Sequence, residues 1–122
     1  HQLAGYFGLS DTAFWLLYSL RETDRPLNQA ELYSILCASK QTVNSATRRM
    51  VRQGLLTLTP GKGREMQMHL TEAGRQLAAR TVLPLARAER AAIDALTEEE
   101  LQTYLALSRK LLEQLRRTTA GL

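Results

Sequence analysis

The hydrophobic pattern of this chain changes its period at Gly54, and this change constrains the fold more than any other feature of the sequence. Before Gly54, apolar residues recur every three or four positions, as on one face of an α-helix. Between residues 56 and 70, apolar and polar residues alternate on both sides of the turn sequence Pro60-Gly61-Lys62-Gly63, which is typical of a hairpin. Beyond residue 70 the helical spacing returns. The sequence therefore predicts helices, one β-hairpin, and helices again.

Three helices are predicted ahead of the hairpin. They cover residues 12–22, 29–36 and 39–53. The first is apolar nearly all round, so we expect it to be central and buried. Ser10 with Asp11, Asn28 and Ser39 can cap these helices, and Gly54 can end the third one in a left-handed conformation. The side chains expected to face the core are Leu32, Ile35 and Leu36 in the second helix, and Val43, Ala46 or Thr47, Met50 and Val51 in the third.

Two long helices are predicted after the hairpin. Thr71 caps the first, which runs to about residue 95 and should bend at Pro84, because proline removes a hydrogen bond from a helix interior. Thr97 and Glu100 form a capping box that starts the second. Both carry more apolar surface than a small three-helix core can cover, so we expect them to pair two copies of the chain. Folding back onto the core of one chain is the alternative. The predicted dimerisation residues are Leu101, Leu105, Leu112 and Leu115.

Positive charge is concentrated in one part of the sequence. The whole chain has a net charge of +4, but residues 39–75 carry seven basic and two acidic residues, a net charge of +5, so the rest has −1. Such a field attracts polyanions, and neutralisation of phosphates supplies most of the sequence-independent affinity for DNA. A solvated basic face is the alternative. The charge pattern thus favours DNA as the partner.

The third predicted helix has the layout of a recognition helix in the major groove. Its start carries polar side chains that can reach base edges, and its later turns carry cations for phosphates. The hairpin tip adds two cations beside glycines, which suits the narrow minor groove. The predicted DNA-binding residues are Ser39, Lys40, Gln41, Thr42, Asn44, Ser45, Arg48 and Arg49 in the recognition helix, and Lys62 and Arg64 in the wing.

These elements define the predicted fold class. It is mainly α: a winged helix-turn-helix of three helices and a two-stranded β-hairpin wing, followed by two long C-terminal dimerisation helices. We expect residues 1–9 to be the remnant of an N-terminal dimerisation segment, residues 10–75 to form the DNA-binding module, and residues 76–122 to form the dimerisation region, all in a single structural domain. The apolar run at residues 13–20 is too short to span a membrane, and the single cysteine cannot form an internal disulfide, so we expect a cytoplasmic protein.

The order and spacing of several short segments resemble the multiple-antibiotic-resistance regulator (MarR) family of bacterial transcription factors. The segments that carry the resemblance are Leu9-Ser10, Trp15-Leu16-Leu17, Leu27-Asn28-Gln29-Ala30-Glu31-Leu32, Thr42-Val43 through Met50, Gly54-Leu55-Leu56, Arg64, Leu70-Thr71-Glu72-Ala73-Gly74-Arg75 and Leu96-Thr97-Glu98-Glu99-Glu100. The resemblance implies a homodimer that binds a pseudo-palindromic operator. It also implies that Arg64 of the wing enters the minor groove. This chain departs from the family at Lys62, where an acidic residue is usual, and in the shortness of its first segment.

A ligand site is a further expectation from the resemblance. Many members of the family lose DNA affinity when a small aromatic or phenolic ligand binds, and Phe14, Trp15 and Tyr18 are predicted to line such a pocket. An aromatic cluster belonging to the core is the alternative. Cys37 lies at the helix-turn-helix corner, where a small structural residue is more plausible than a redox sensor.

Enzymatic function has little support in the sequence. The chain has two histidines and one cysteine, and no spacing suits a catalytic triad or a zinc site, so we expect no enzyme activity, cofactor or metal. A winged-helix adaptor that binds proteins instead of DNA remains the alternative function, although such modules tend to lose the basic recognition face.

Overall fold

The structure, a computed structural model, describes residues 2–6 and 8–122; His1 and Phe7, which belong to the predicted N-terminal remnant, lie outside the described residues. The elements in chain order are α1 (Gln2–Tyr6), α2 (Asp11–Thr23), β1 (Leu27–Asn28), α3 (Gln29–Leu36), α4 (Lys40–Arg52), β2 (Leu56–Pro60), β3 (Met66–Leu70), α5 (Glu72–Asp94) and α6 (Glu98–Thr119). The predicted fold class is confirmed. The chain divides into two compact units, residues 1–85 and 86–122, so the first unit extends ten residues beyond the predicted end of the module at residue 75.

Helix α2 forms the centre of the first unit. Ser10 Oγ accepts a hydrogen bond from the backbone N–H of Ala13 at 3.1 Å, which satisfies one of the free donors at the helix start. Leu16 and Leu17 are completely buried. Trp15, however, has 41% of its surface exposed, so the expectation of a helix buried all round is wrong on that face.

Helix α3 begins and ends through side-chain and backbone caps. Asn28 Oδ1 accepts a hydrogen bond from the backbone N–H of Glu31 at 2.8 Å, and Cys37 takes a left-handed φ of 49° that ends the helix. Arg25 bonds the Glu31 carboxylate at 2.7 Å and holds the pKa of Glu31 below its usual value. Ile35 is half exposed, against expectation, because it lies 60° around the helix from the fully buried Leu32 and faces solvent.

Helix α4 packs on the core through one narrow face. The sequence offered Ala46 or Thr47 as a core-facing residue, and the structure buries Thr47. The Thr47 hydroxyl group donates a hydrogen bond to the carbonyl oxygen of Val43 at 2.8 Å, so this buried polar atom is paired. Gly54 ends the helix with φ 74°, as predicted. The bonds from Leu55 N to Met50 O (2.9 Å) and from Gly54 N to Val51 O (3.0 Å) form a Schellman motif.

The hairpin belongs to a three-stranded antiparallel sheet with the order β1-β3-β2. The prediction of two strands missed β1, because a strand of two residues is too short to show an alternating pattern. In this strand Leu27 pairs with Met68 of β3. Both of these side chains are completely buried. The alternation grouped Leu58 with Leu56 and Met66 with Met68. Leu58 and Met66 are nevertheless 38% and 40% exposed, because the core ends before it reaches the wing tip.

The helices after the hairpin differ in burial. Helix α5 continues through Pro84, and its first half contributes Gly74, Ala78, Thr81 and Val82 to the core of the first unit. Helix α6 has the predicted capping box: Thr97 N donates to Glu100 Oε1 at 2.9 Å, which lowers the pKa of Glu100. None of the residues of α6 is buried. Within the described part of the chain, no helix combines the length and hydropathy needed to cross a lipid bilayer.

Candidate nucleic-acid interface

The orientation of α4 separates a core face from a solvent face. Val43, Thr47 and Met50 are buried, each with at most 1% of its surface exposed. Because successive residues of an α-helix are 100° apart, the opposite face carries Gln41, Ser45, Arg48 and Arg52, all of them exposed. This face combines amide, hydroxyl and guanidinium groups, which are the groups that bind base edges and phosphates in a major groove.

The structure distributes the predicted recognition-helix residues over three positions. Ser39 is the N-cap, and its Oγ accepts a hydrogen bond from the backbone N–H of Thr42 at 3.2 Å and lies 2.8 Å from Thr42 Oγ1, so both hydroxyl groups take part in capping. Asn44 is half-buried on the flank that faces α3. The remaining predicted residues, Lys40, Gln41, Ser45, Arg48 and Arg49, are exposed along the helix. Their contacts with DNA stay predictions.

The cations of α4 and the wing tip are not neutralised by acidic side chains. Within residues 2–6 and 8–122, the ion pairs involve Arg21, Arg25, Arg75, Arg90 and Arg117 as the basic partners. The cations without an ion pair in this described part include Lys40, Arg48, Arg49, Arg52, Lys62 and Arg64. Because these six cations have no acidic partner among the described residues, the face that the sequence predicted for DNA keeps their positive charge.

The wing presents its two cations on a tight turn. Gly61 N donates to the carbonyl oxygen of Glu65 at 2.9 Å, and Glu65 N donates to the carbonyl oxygen of Lys62 at 3.1 Å. Gly63 has a φ of 61°, a conformation that side chains disfavour, so the turn depends on this glycine. Lys62 and Arg64 are exposed at the tip. The Glu65 carboxylate lies 3.4 Å from Asn28 Nδ2, away from a role as partner of the wing cations.

Tyr33 of α3 contacts the recognition helix, and sequence reasoning missed it. Its hydroxyl group lies 2.9 Å from Asn44 Oδ1 and 3.1 Å from Gln29 Oε1. Lys40 Nζ lies 6.0 Å from the centroid of the Tyr33 ring. The spacing of Gln29 and Tyr33 shows that they share a helix face, but no local pattern links either residue to Asn44, eleven residues beyond Tyr33.

A mainly apolar groove of about 540 Å³ runs between α2 and the end of α3. Trp15 and Tyr18, two of the three predicted ligand residues, line it, and their rings meet edge to face with centroids 5.3 Å apart. Phe14 does not line it: its side chain points into the core and is 1% exposed, because it lies 100° around α2 from Trp15. The groove also contains Ile35, whose exposure the sequence did not predict. A ligand in this groove stays a prediction.

The part of the chain that the structure describes gives little support for a metal site or a reactive cysteine. No group of three or more His, Cys, Asp or Glu side chains there is arranged to hold a metal ion. Cys37 is exposed, with Sγ 3.6 Å from the carbonyl oxygen of Ser34.

The second compact unit exposes an apolar surface along α6. Of the four predicted dimerisation residues, Leu101 and Leu105 are half-buried, whereas Leu112 and Leu115 are about half exposed. The structure adds three residues that the predicted stripe omitted. Tyr104, Leu107 and Leu111 are more than 60% exposed and recur at the same helical spacing.

Two helices joined by a short turn, with the second helix presenting polar and basic groups and followed by a β-hairpin, define a winged helix-turn-helix protein. The MarR family matches the chain over residues 7–65. This match confirms the resemblance that the sequence indicated: residues 7–65 are similar to the MarR family, whose members are transcription regulators and not enzymes.

Solved structures extend the similarity over nearly the whole chain. NMB1585, a MarR family regulator from Neisseria meningitidis, superposes with a TM-score of 0.79 at 22% identity, covering 98% of this chain and 85% of that one. MepR from S. aureus in its DNA-binding conformation gives a TM-score of 0.77 at 21% identity over 93% of this chain and 85% of MepR. The S. aureus MepR–DNA complex gives a TM-score of 0.66 at 23% identity, again over 93% of this chain and 85% of MepR. At this identity the likeness establishes the fold. No curated protein sequence matches the chain.

Proposed function

We propose that this chain is a sequence-specific regulator that binds double-stranded DNA as a homodimer on a pseudo-palindromic operator and represses transcription in the bacterial cytoplasm. One observation carries the proposal: α4 buries Val43, Thr47 and Met50 while its opposite face and the wing tip present cations that no described carboxylate neutralises. Phosphate contacts of this kind provide affinity, and the polar groups at the helix start provide base recognition.

The likeness to a known DNA complex supports the same function. The S. aureus MepR structure with a similar fold is a complex with DNA, so a chain of this fold can dock on a duplex. We propose the corresponding docking here, with α4 in the major groove and the wing in the adjacent minor groove. A repressor role follows if the operator overlaps a promoter, because a bound dimer then excludes the polymerase.

The homodimer has its support in α6. This helix of 22 residues has no fully buried side chain, and five of its large apolar residues are exposed in a single chain: Tyr104, Leu107, Leu111, Leu112 and Leu115. Each large side chain moved from water to an interface contributes roughly 1.5–3 kcal/mol, so a stripe of this length favours association with a second copy. A two-fold dimer matches a pseudo-palindromic site with half-sites one helical turn apart.

The test is selection of duplexes from a randomised pool, followed by titration of the selected duplex at several salt concentrations. We expect a palindromic motif and a steep salt dependence. Arg48→Ala or Arg64→Ala should lower affinity at least about tenfold and reduce the slope of log K against log salt by about 1.8, because each protomer of the dimer loses one phosphate contact.

Arg80→Ala is the matched control, because it removes an exposed cation from α5, away from the recognition helix. It should leave both affinity and slope unchanged. If the wild-type chain enriches no motif and binds no duplex at low salt, the DNA function is wrong, and a protein-binding adaptor becomes the better hypothesis.

We further propose that a small aromatic ligand in the groove beside Trp15 releases the DNA. Asp11 and Glu22 at the rim carry carboxylates, so a neutral phenol fits better than an aromatic acid. Because Trp15 is the only tryptophan of the chain, its fluorescence reports binding directly.

In a titration with substituted phenols, we expect quenching of Trp15 fluorescence and release of labelled operator over the same concentration range. Ile35→Ala should weaken both effects about tenfold, because the side chain lines the groove with half of its surface free. Ile93→Ala is the control, since Ile93 is similarly exposed but lies in the second unit. Quenching that Ile35→Ala leaves unchanged would place the ligand elsewhere.

A further inference from the structure

Tyr33 connects the two helices of the helix-turn-helix through a polar contact. Its ring is partly buried and packs against the core of the first unit, which fixes the position of the hydroxyl group. Oη lies 2.9 Å from Oδ1 of Asn44 on α4 and 3.1 Å from Oε1 of Gln29 on α3. Asn44 is half-buried and lies beside the outward face of α4, next in sequence to the exposed Ser45.

The single hydroxyl proton of Tyr33 can serve only one of these two contacts. A phenol has one O–H donor, so it can donate to only one of the two amide oxygens, although its oxygen can still accept a further bond. We take Asn44 Oδ1, at the shorter distance, as the acceptor of this proton. The Gln29 amide, turned by 180° about its last torsion, then donates its N–H to Oη, a rotation that leaves the heavy atoms in place. Asn44 is therefore held with Oδ1 towards α3 and with Nδ2 directed away from Tyr33.

We propose that Tyr33 is a positioning residue for base recognition: it orients the Asn44 amide so that Nδ2 donates to the N7 acceptor of a purine in the major groove. Both purines carry this acceptor, and pyrimidines do not. An amide that is already oriented loses less side-chain freedom when it binds, so its preference for a purine is larger than that of a freely rotating amide. This inference rests on the proposed binding of double-stranded DNA.

Tyr33→Phe isolates the role of the hydroxyl group. It keeps the ring that packs on the core, and it also keeps the face towards Lys40 Nζ, which at 6.0 Å from the ring centroid is at the outer limit of a cation–π contact. The thermal midpoint and the salt dependence of binding should therefore change little. Any change in base preference then follows from the lost hydrogen bond.

The experiment compares wild type, Tyr33→Phe, Asn44→Ala and the double variant on the selected duplex and on duplexes with each half-site position changed. We expect Asn44→Ala to abolish purine preference at one position. Tyr33→Phe should reduce preference at that same position about fivefold, and should add nothing when Asn44 is already alanine. In the free protein, the side-chain amide resonances of Asn44 should shift in Tyr33→Phe, because its oxygen loses a donor.

Three results would overturn the inference while leaving the DNA function intact: unchanged purine preference in Tyr33→Phe, an equal loss at all positions, or a loss that persists in the Asn44→Ala background. Unshifted Asn44 amide resonances would overturn it without reference to DNA. Absence of binding by the wild-type chain would instead overturn the proposed function, and the inference with it.

Discussion

Leu112→Glu should convert a dimer of this chain into a monomer and lower operator affinity more than 100-fold. Leu112 is about half exposed in the single chain, so a glutamate there stays hydrated and leaves the folding of the protomer nearly unchanged. In a dimer, the same side chain would be buried against the second copy, and an unpaired buried carboxylate is strongly unfavourable. Two linked half-site contacts add a factor of about 10²–10⁴ to affinity, and this factor is lost in the monomer.

Sedimentation equilibrium and operator titration measure the two effects. Ala106→Glu is the matched control, because it introduces the same charge at an exposed position of α6 that lies about 120° around the helix from Leu112 and away from Tyr104, Leu107 and Leu111. The control should remain dimeric and bind as the wild type does. If Leu112→Glu also remains dimeric, the pairing surface lies elsewhere, and the exposed group of Tyr104, Leu107 and Leu111 becomes the next set to change.

Gly74→Ala should destabilise the first unit by about 1–3 kcal/mol, through a steric clash that a helix propensity scale does not show. A Cβ built on Gly74 overlaps the carbonyl oxygen of Leu55 and comes within 3.2 Å of Leu70 Cδ2. The Leu55 carbonyl cannot move freely, because it accepts a hydrogen bond from Thr71 N at 3.0 Å. Overpacking costs about 1–3 kcal/mol and a strained hydrogen bond about 1 kcal/mol more, against a gain of about 1 kcal/mol from alanine in a helix.

Urea unfolding at one protomer concentration gives the measurement, because association would otherwise contribute to the stability. Gly5→Ala is the control: Gly5 lies in α1, and an added Cβ there meets no atom within 4 Å. The control should be neutral or slightly more stable. An unchanged urea midpoint for Gly74→Ala would mean that α5 can move away from Leu55 at little cost.

Close to Gly74, Thr71 joins the two helices that flank the wing, α4 and α5. Thr71 Oγ1 donates to the carbonyl oxygen of Gly54 at 2.6 Å and accepts from Gly74 N at 3.0 Å. One threonine therefore ties the end of α4 to the start of α5. The sequence predicted Thr71 as a helix cap, and the structure shows that its hydroxyl group serves both helices.

Local patterns account for much of what the sequence predicted correctly. The caps at Ser10, Asn28, Ser39 and Thr97 and the left-handed Gly54 involve atoms a few residues apart, so short sequences specify them. The boundaries of the helices and of the hairpin followed from these signals. The outward positions of Gln41, Ser45 and Arg48 followed as well, because apolar and charged residues are sharply separated around α4. Asn44 was expected beside them and lies on the flank towards α3 instead.

Long-range features were predicted less well, and the candidate site shows why. The contact between Tyr33 and Asn44 depends on the angle at which α3 and α4 cross, and no periodicity encodes that angle. For the ligand hypothesis, the cluster Phe14, Trp15 and Tyr18 was treated as one surface, whereas the packing of α2 sends Phe14 into the core and the other two into the groove.

The sequence by itself determined the order of helices α2 to α6 and of the hairpin, their caps and turns, the segregation of positive charge to residues 39–75 and most of the solvent face of α4. Each of these depends on neighbours along the chain. Only the tertiary structure decided that Leu27 adds a third strand, that α5 approaches Leu55 so closely that Gly74 must lack a side chain, and that Tyr33 holds Asn44. These contacts join residues far apart in sequence. Their geometry is set by the packing of the whole core, which local propensity does not specify.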